Sequence, residues 1–212
     1  MAVADRRHHG GDRDRGDRDR GDRDAPGPDL REVAAACDRA VYSRDDARSC
    51  VGLAIRAADP VPTIAACDAA MYYDRDTLAC LQSAQRAPRS IASAITACDA
   101  AMYYDRDVLV CVAAVSDGRG RDLAGQVAAC DAAMYYDRDA LTCIGSAAPT
   151  VLPASAIAAC DAAMYYDRDA LTCVAAAAPL GRRAGEFITY CDQASYYDRD
   201  ALSCIGQFTT GP

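Results

Sequence analysis

A fourteen-residue segment bounded by cysteines constrains this chain more than any other feature. CDAAMYYDRDALTC occurs twice without change, at Cys130 to Cys143 and Cys160 to Cys173. Near copies run from Cys37 to Cys50, Cys67 to Cys80, Cys98 to Cys111 and Cys191 to Cys204, and the six copies hold all 12 cysteines. Successive first cysteines are 30, 31, 32, 30 and 31 residues apart. A period of this length belongs to stacked two-element repeats, each burying its apolar face on its neighbours.

The elements read as helices. Ahead of each first cysteine, apolar residues recur at i, i+4, i+7 and i+11, as in Leu123, Val127, Cys130, Met134 and in Ile91, Ile95, Cys98, Met102. That spacing lays one stripe along one helical face. This first helix is expected to end near the Tyr-Tyr pair. The following Asp-Arg-Asp is a start signal for a second helix, with Asp74, Asp105, Asp137, Asp167 and Asp198 as N-caps and the second aspartate, such as Asp76 or Asp139, in the first turn. The second helix runs through Leu78, Cys80 and Leu81 and stops before breaker clusters such as Pro149 to Pro153. Alanine-rich runs without alternation disfavour strands. The fold class expected is all-α: a disordered tail over residues 1–29, then a solenoid-like array of six disulfide-linked α-hairpins over 30–212.

The cysteine spacing supports pairing inside each hairpin. Twelve residues always separate the two cysteines of a unit, whereas sixteen to eighteen separate one unit from the next. The midpoint falls at the turn, so both cysteines sit at one height on facing helices. Antiparallel helices about 8 to 10 Å apart leave roughly 3.5 to 5.5 Å between facing Cα atoms, which overlaps the disulfide range. On the second helix the leucines lie on a different side from the cysteine and are free to meet the adjacent repeat. Two other readings stay open at this level: buried free thiols in a reducing cell, and shared four-cysteine zinc sites.

The end copies depart from the pattern in a polar direction. Arg48 stands at the leucine position of the first unit, and Gln193 and Ser195 replace Ala and Met in the sixth. Such substitutions close the exposed faces of an array.

Outside the hairpins the signals are sparse. Residues 5 to 24 alternate Asp and Arg around glycines and cannot offset the entropy of ordering; their Arg-Gly-Asp triplets arise from the repeat itself, and His8 and His9 are expected to be solvated. Ala2-Val3-Ala4 matches the residues that precede signal cleavage, which suggests a translation start upstream. Disulfides imply a periplasmic or extracellular location. A net charge of -8 disfavours nucleic acid, and no apolar run is long enough for a membrane span.

The Tyr-Tyr-Asp-Arg-Asp-x-Leu segment resembles the aromatic-x-Phe-Asp-Ser-Asp-Arg-Leu hairpin turn of bacterial DUF4476-like helical repeat proteins of unknown function. The cysteine pairs resemble those of twin-CX9C α-hairpins, with twelve intervening residues here and one pair per hairpin. Neither resemblance supplies a catalytic residue.

The candidate site is the ladder that the turns form together: Tyr73-Asp74-Arg75-Asp76, Tyr104-Asp105-Arg106-Asp107, Tyr136-Asp137-Arg138-Asp139, Tyr166-Asp167-Arg168-Asp169 and Tyr197-Asp198-Arg199-Asp200. It could meet a partner protein or a cell-envelope glycan, or hold a divalent cation through its aspartates or the cysteine thiolates. The competing structural reading packs one Tyr under the turn, uses the first Asp as a cap, and pairs Arg with a carboxylate such as Asp68 or Asp131. No catalytic residue, cofactor or metal ligand is assigned. One polar cluster repeated six times does not supply the different, converging groups of an active site, so the function expected is an exported, non-catalytic structural or interaction scaffold.

Overall fold

The computed structural model describes residues 27–87 and 91–210. Residues 1–26 of the tail, with its histidines and the Ala-Val-Ala segment, lie outside them; Asp29, expected to belong to the tail, caps α1 by accepting from the Arg31 N–H.

Twelve α-helices are present among the described residues. They form six hairpins: α1 (Leu30–Ala40) with α2 (Arg44–Ala54), α3 (Pro60–Ala70) with α4 (Asp74–Ala84), and α5 (Ala92–Ala101) with α6 (Asp105–Ser116). The second half continues with α7 (Leu123–Ala133) and α8 (Asp137–Ala147), α9 (Ala154–Ala163) and α10 (Asp167–Ala177), and α11 (Ala184–Ala194) and α12 (Asp198–Thr210). Each odd helix packs on the next odd helix and each even helix on the next even one, so the chain makes two layers joined within every hairpin.

The stripe that the spacing predicts is the core of the odd layer. Leu123, Val127, Cys130 and Met134 are buried, as are Ile91, Ile95, Cys98 and Met102. In the even layer Leu81, Val112, Ile144, Val174 and Ile205 are buried one per repeat, with Leu78 and its equivalents partly buried beside them. The remaining core is alanine and cystine. With so few large side chains, each repeat buries little apolar area by itself, and its neighbours supply most of the rest.

All six disulfides close within their own hairpins, with Cα atoms 5.6 to 5.8 Å apart and no free cysteine remaining. The separation lies slightly above the rigid-helix estimate and inside the range a disulfide spans. Zinc-thiolate and free-thiol alternatives are thereby removed for these cysteines.

Helix ends differ in detail from the sequence expectation. The odd helices stop three residues before the even ones begin, and the first and last of the connecting residues, such as Met71 and Tyr73, are extended. Met71, Met102, Met134 and Met164 fold in under the turn and are buried. In the linkers, Gly181 is the one described residue at positive φ, 58°, a conformation that a side chain would strain. The polar ends are as expected: Arg48 is exposed and bonds to Asp45, and Gln193 faces solvent.

Candidate functional site

The first aspartate of each turn does not cap its own helix. The N-cap positions of α4, α6, α8 and α10 are Tyr73, Tyr104, Tyr136 and Tyr166, none of which makes a side-chain cap bond. Asp74, Asp105, Asp137 and Asp167 occupy the first helical position, beyond reach of the capping geometry. The first hairpin does have a side-chain cap on its even helix: the Ser43 hydroxyl accepts from the Asp46 N–H at 3.0 Å.

Instead, each of these aspartates reaches back to the preceding hairpin. The backbone N–H of Tyr42 donates to Asp74 Oδ2 at 2.7 Å, Tyr72 to Asp105 at 3.0 Å, Tyr103 to Asp137 at 3.1 Å, Tyr135 to Asp167 at 3.0 Å and Tyr165 to Asp198 at 2.8 Å. The donor exists because the odd helix has ended and its turn is extended, which leaves this N–H outside any helical ladder. The acceptor is anionic and sits at a helix N-terminus, where the dipole favours negative charge. Every repeat boundary is therefore closed by the same charge-assisted bond. The first hairpin, with no described hairpin before it, carries Arg44 at the aspartate position.

The tyrosines are the second departure. Neither member of a pair packs under the turn; buried methionine takes that place. Tyr72, Tyr103, Tyr135 and Tyr165 are each 83% exposed and Tyr196 is 89% exposed, while Tyr73, Tyr104, Tyr136, Tyr166 and Tyr197 range from 57% to 66%. Within each of the five pairs the rings meet edge to face, with centroids 4.8 to 5.0 Å apart. This is a favourable aromatic arrangement, so each pair is held as a unit while remaining open to solvent. The first tyrosine of each pair is more exposed than the second, which the sequence singled out. One signal could have found it: five residues past the cysteine, Tyr72 falls off the buried stripe that Met71 completes.

The arginine also differs from expectation. Arg75 Nε bonds to its neighbour Asp76 at 3.3 Å, and its guanidinium lies 5.8 Å from the centre of the Tyr73 ring. It does not pair with Asp68. No ion pair to Asp68 or Asp131 occurs among the described residues, and the carboxylates of Asp74 and Asp137 act on them instead. Partial burial first, and the adjacent carboxylate second, raise the Asp68 and Asp131 carboxyls above their ordinary value.

A carboxyl raised in the folded state opposes folding once it ionises. The folded protein then binds protons more readily than the unfolded one, and stability declines as pH rises through the raised value. Asp131→Asn is accordingly expected to raise the melting temperature at pH 7, by an amount corresponding to less than about 1 kcal/mol because solvent screens the site. Melting curves should show that advantage shrinking as pH is lowered toward the ordinary aspartate value; an equal gain at all pH values would count against this origin.

Together the turns make a continuous edge: five aromatic pairs, joined boundary by boundary, with arginine and carboxylates between them. No group of three or more His, Cys, Asp or Glu suited to a metal ion occurs among the described residues, and the inter-repeat bonds already engage one oxygen of each first aspartate. No described helix is long and apolar enough to cross a membrane. No family model, curated protein or solved structure matches the chain.

Proposed function

We propose that this protein is an exported, non-catalytic interaction scaffold that binds an extended, repetitive ligand along its tyrosine edge. One observation carries the reading: ten tyrosines stand exposed in five equivalent pairs, although the fold uses neither ring of a pair to fill its core. Aromatic surface left in water at regular intervals marks a contact surface, and a linear array suits a linear partner. The six disulfides support an oxidising compartment such as the periplasm or the cell exterior.

The test is a variant with Tyr103→Ala, Tyr135→Ala and Tyr165→Ala. Exposed side chains of this kind change stability by about 0.5 kcal/mol or less each, so helicity and thermal melting should remain close to native. Retention on immobilised ligands that hold the native protein, drawn from a panel of soluble cell-envelope glycans and extended peptides, should drop at least tenfold. Native-like retention by the triple variant would show that the tyrosines do not contact the ligand, and its failure to melt cooperatively would show that they serve the fold.

A further inference from the structure

The spacing and charge of the edge narrow the ligand class, provided the edge is the binding surface proposed above. The geometry points to a basic polyproline II segment, running along the array with one turn of the ligand on each tyrosine pair.

The period comes first. Odd helices stack directly on odd helices and even on even, and packed helices lie about 8 to 10 Å apart. The aspartate to tyrosine N–H bonds, 2.7 to 3.1 Å long, tie each turn to the next and so fix the tyrosine pairs in that register. A polyproline II helix has three residues per turn at about 3.1 Å each, roughly 9.3 Å in all, which falls within this spacing. A β-strand presents side chains to one face about every 6.7 Å and would lose register after one or two repeats.

The chemistry agrees. Polyproline II segments dock in aromatic-lined grooves, and their preformed shape lowers the entropy lost on binding. Each tyrosine pair offers two exposed rings at an edge-to-face angle of 86° to 88°, one aromatic contact point per repeat. Charge selects the remaining position. An inner repeat places three carboxylates, such as Asp131, Asp137 and Asp139, beside one arginine, Arg138. The edge is therefore net negative at every turn, on a chain whose total is -8. A ligand with two prolines and one basic residue per turn meets both features. A neutral glycan can donate hydroxyls to the carboxylates but brings no charge to match the net negative edge, and an acidic one is repelled.

Calorimetric titration of the full chain at low salt tests this with peptides of the form Pro-Pro-Arg repeated two to six times. Affinity is expected to rise several-fold with each added triplet and to level off near about fifteen residues, where a polyproline II ligand spans five pairs. A Gly-Ser-Arg peptide of equal length and charge should bind at least tenfold more weakly, and the triple tyrosine variant should lose at least tenfold toward Pro-Pro-Arg. Equal binding of the two peptides, or no dependence on length, overturns the inference. Chitin oligosaccharides binding in place of the peptides, with sensitivity to the same tyrosines, would overturn the peptide assignment and leave the edge as a binding surface. Binding of peptides and oligosaccharides that the triple variant retains in full would remove both.

Discussion

Treatment with an excess of thiol reductant is expected to abolish cooperative melting and most of the helical signal. Each disulfide closes a hairpin across a sequence separation of 13 residues. On the chain-entropy estimate such a loop contributes about 3 kcal/mol. Six of them, even at half that value, amount to about the whole 5 to 15 kcal/mol stability of an ordinary domain. The hairpins have little to set against the loss, since the described core is dominated by alanine, cystine and a few branched residues per repeat. Far-ultraviolet dichroism before and after reduction measures the effect. A second arm keeps the test clear of global collapse: Cys191→Ala with Cys204→Ala opens only the last hairpin, and Cys98→Ala with Cys111→Ala opens an inner one. The inner pair should cost more, about 2 to 4 kcal/mol, because its hairpin packs against neighbours on both sides. A reduced protein that melts at the oxidised temperature would refute this account.

The features legible in the sequence share a physical property: they are local. The odd-helix stripe follows from a 3.6-residue period read over a dozen residues, as Ile91, Ile95, Cys98 and Met102 show. Disulfide pairing follows from a fixed interval across one turn. The inter-repeat bond escaped because its two ends lie 32 to 34 residues apart and one of them is a backbone N–H, which leaves no residue signature. Its only sequence trace is Arg44, the aspartate position of the hairpin with no described predecessor. That substitution reads as an end effect until the partner is known.

The ladder was partly legible for the same reason. The sequence places Tyr73, Asp74, Arg75 and Asp76 together on a turn, but not which of them the fold consumes. The fold takes the methionine and the first aspartate, leaving both tyrosines outside. Linker contacts were opaque altogether, because they do not repeat. Buried Gln126 donates through Nε2 to the Leu152 and Ala147 carbonyls, and nothing in the pattern of the other five units points to it.

Removing the bond at one inner boundary should uncouple the array there. In Asp137→Ala the Tyr103 N–H loses its carboxylate, and water replaces it only in part because Asp137 is half-buried. A hydrogen bond to a charged group contributes about 1.5 to 3 kcal/mol, and the partly wet setting points to the lower end of that range. Repeat arrays melt cooperatively only while neighbouring interfaces remain strong, so the transition should broaden as well as move down. The substitution also removes the repulsion between Asp137 and Asp131, an opposing gain that would hide part of the loss. Comparing Asp131→Asn with the double variant Asp131→Asn, Asp137→Ala takes that repulsion out of the difference, and the remaining destabilisation measures the bond together with its helix-end contribution. Asp137→Asn, which keeps an acceptor without the charge, should fall between. Arg44→Asp tests the same idea from the other side: it adds the carboxylate where no described tyrosine N–H awaits it, and should bring no comparable stabilisation. Chemical denaturation of these variants measures each value. If the double variant is as stable as Asp131→Asn alone, the aspartate is not what joins the repeats, and apolar packing between the layers must hold the register unaided.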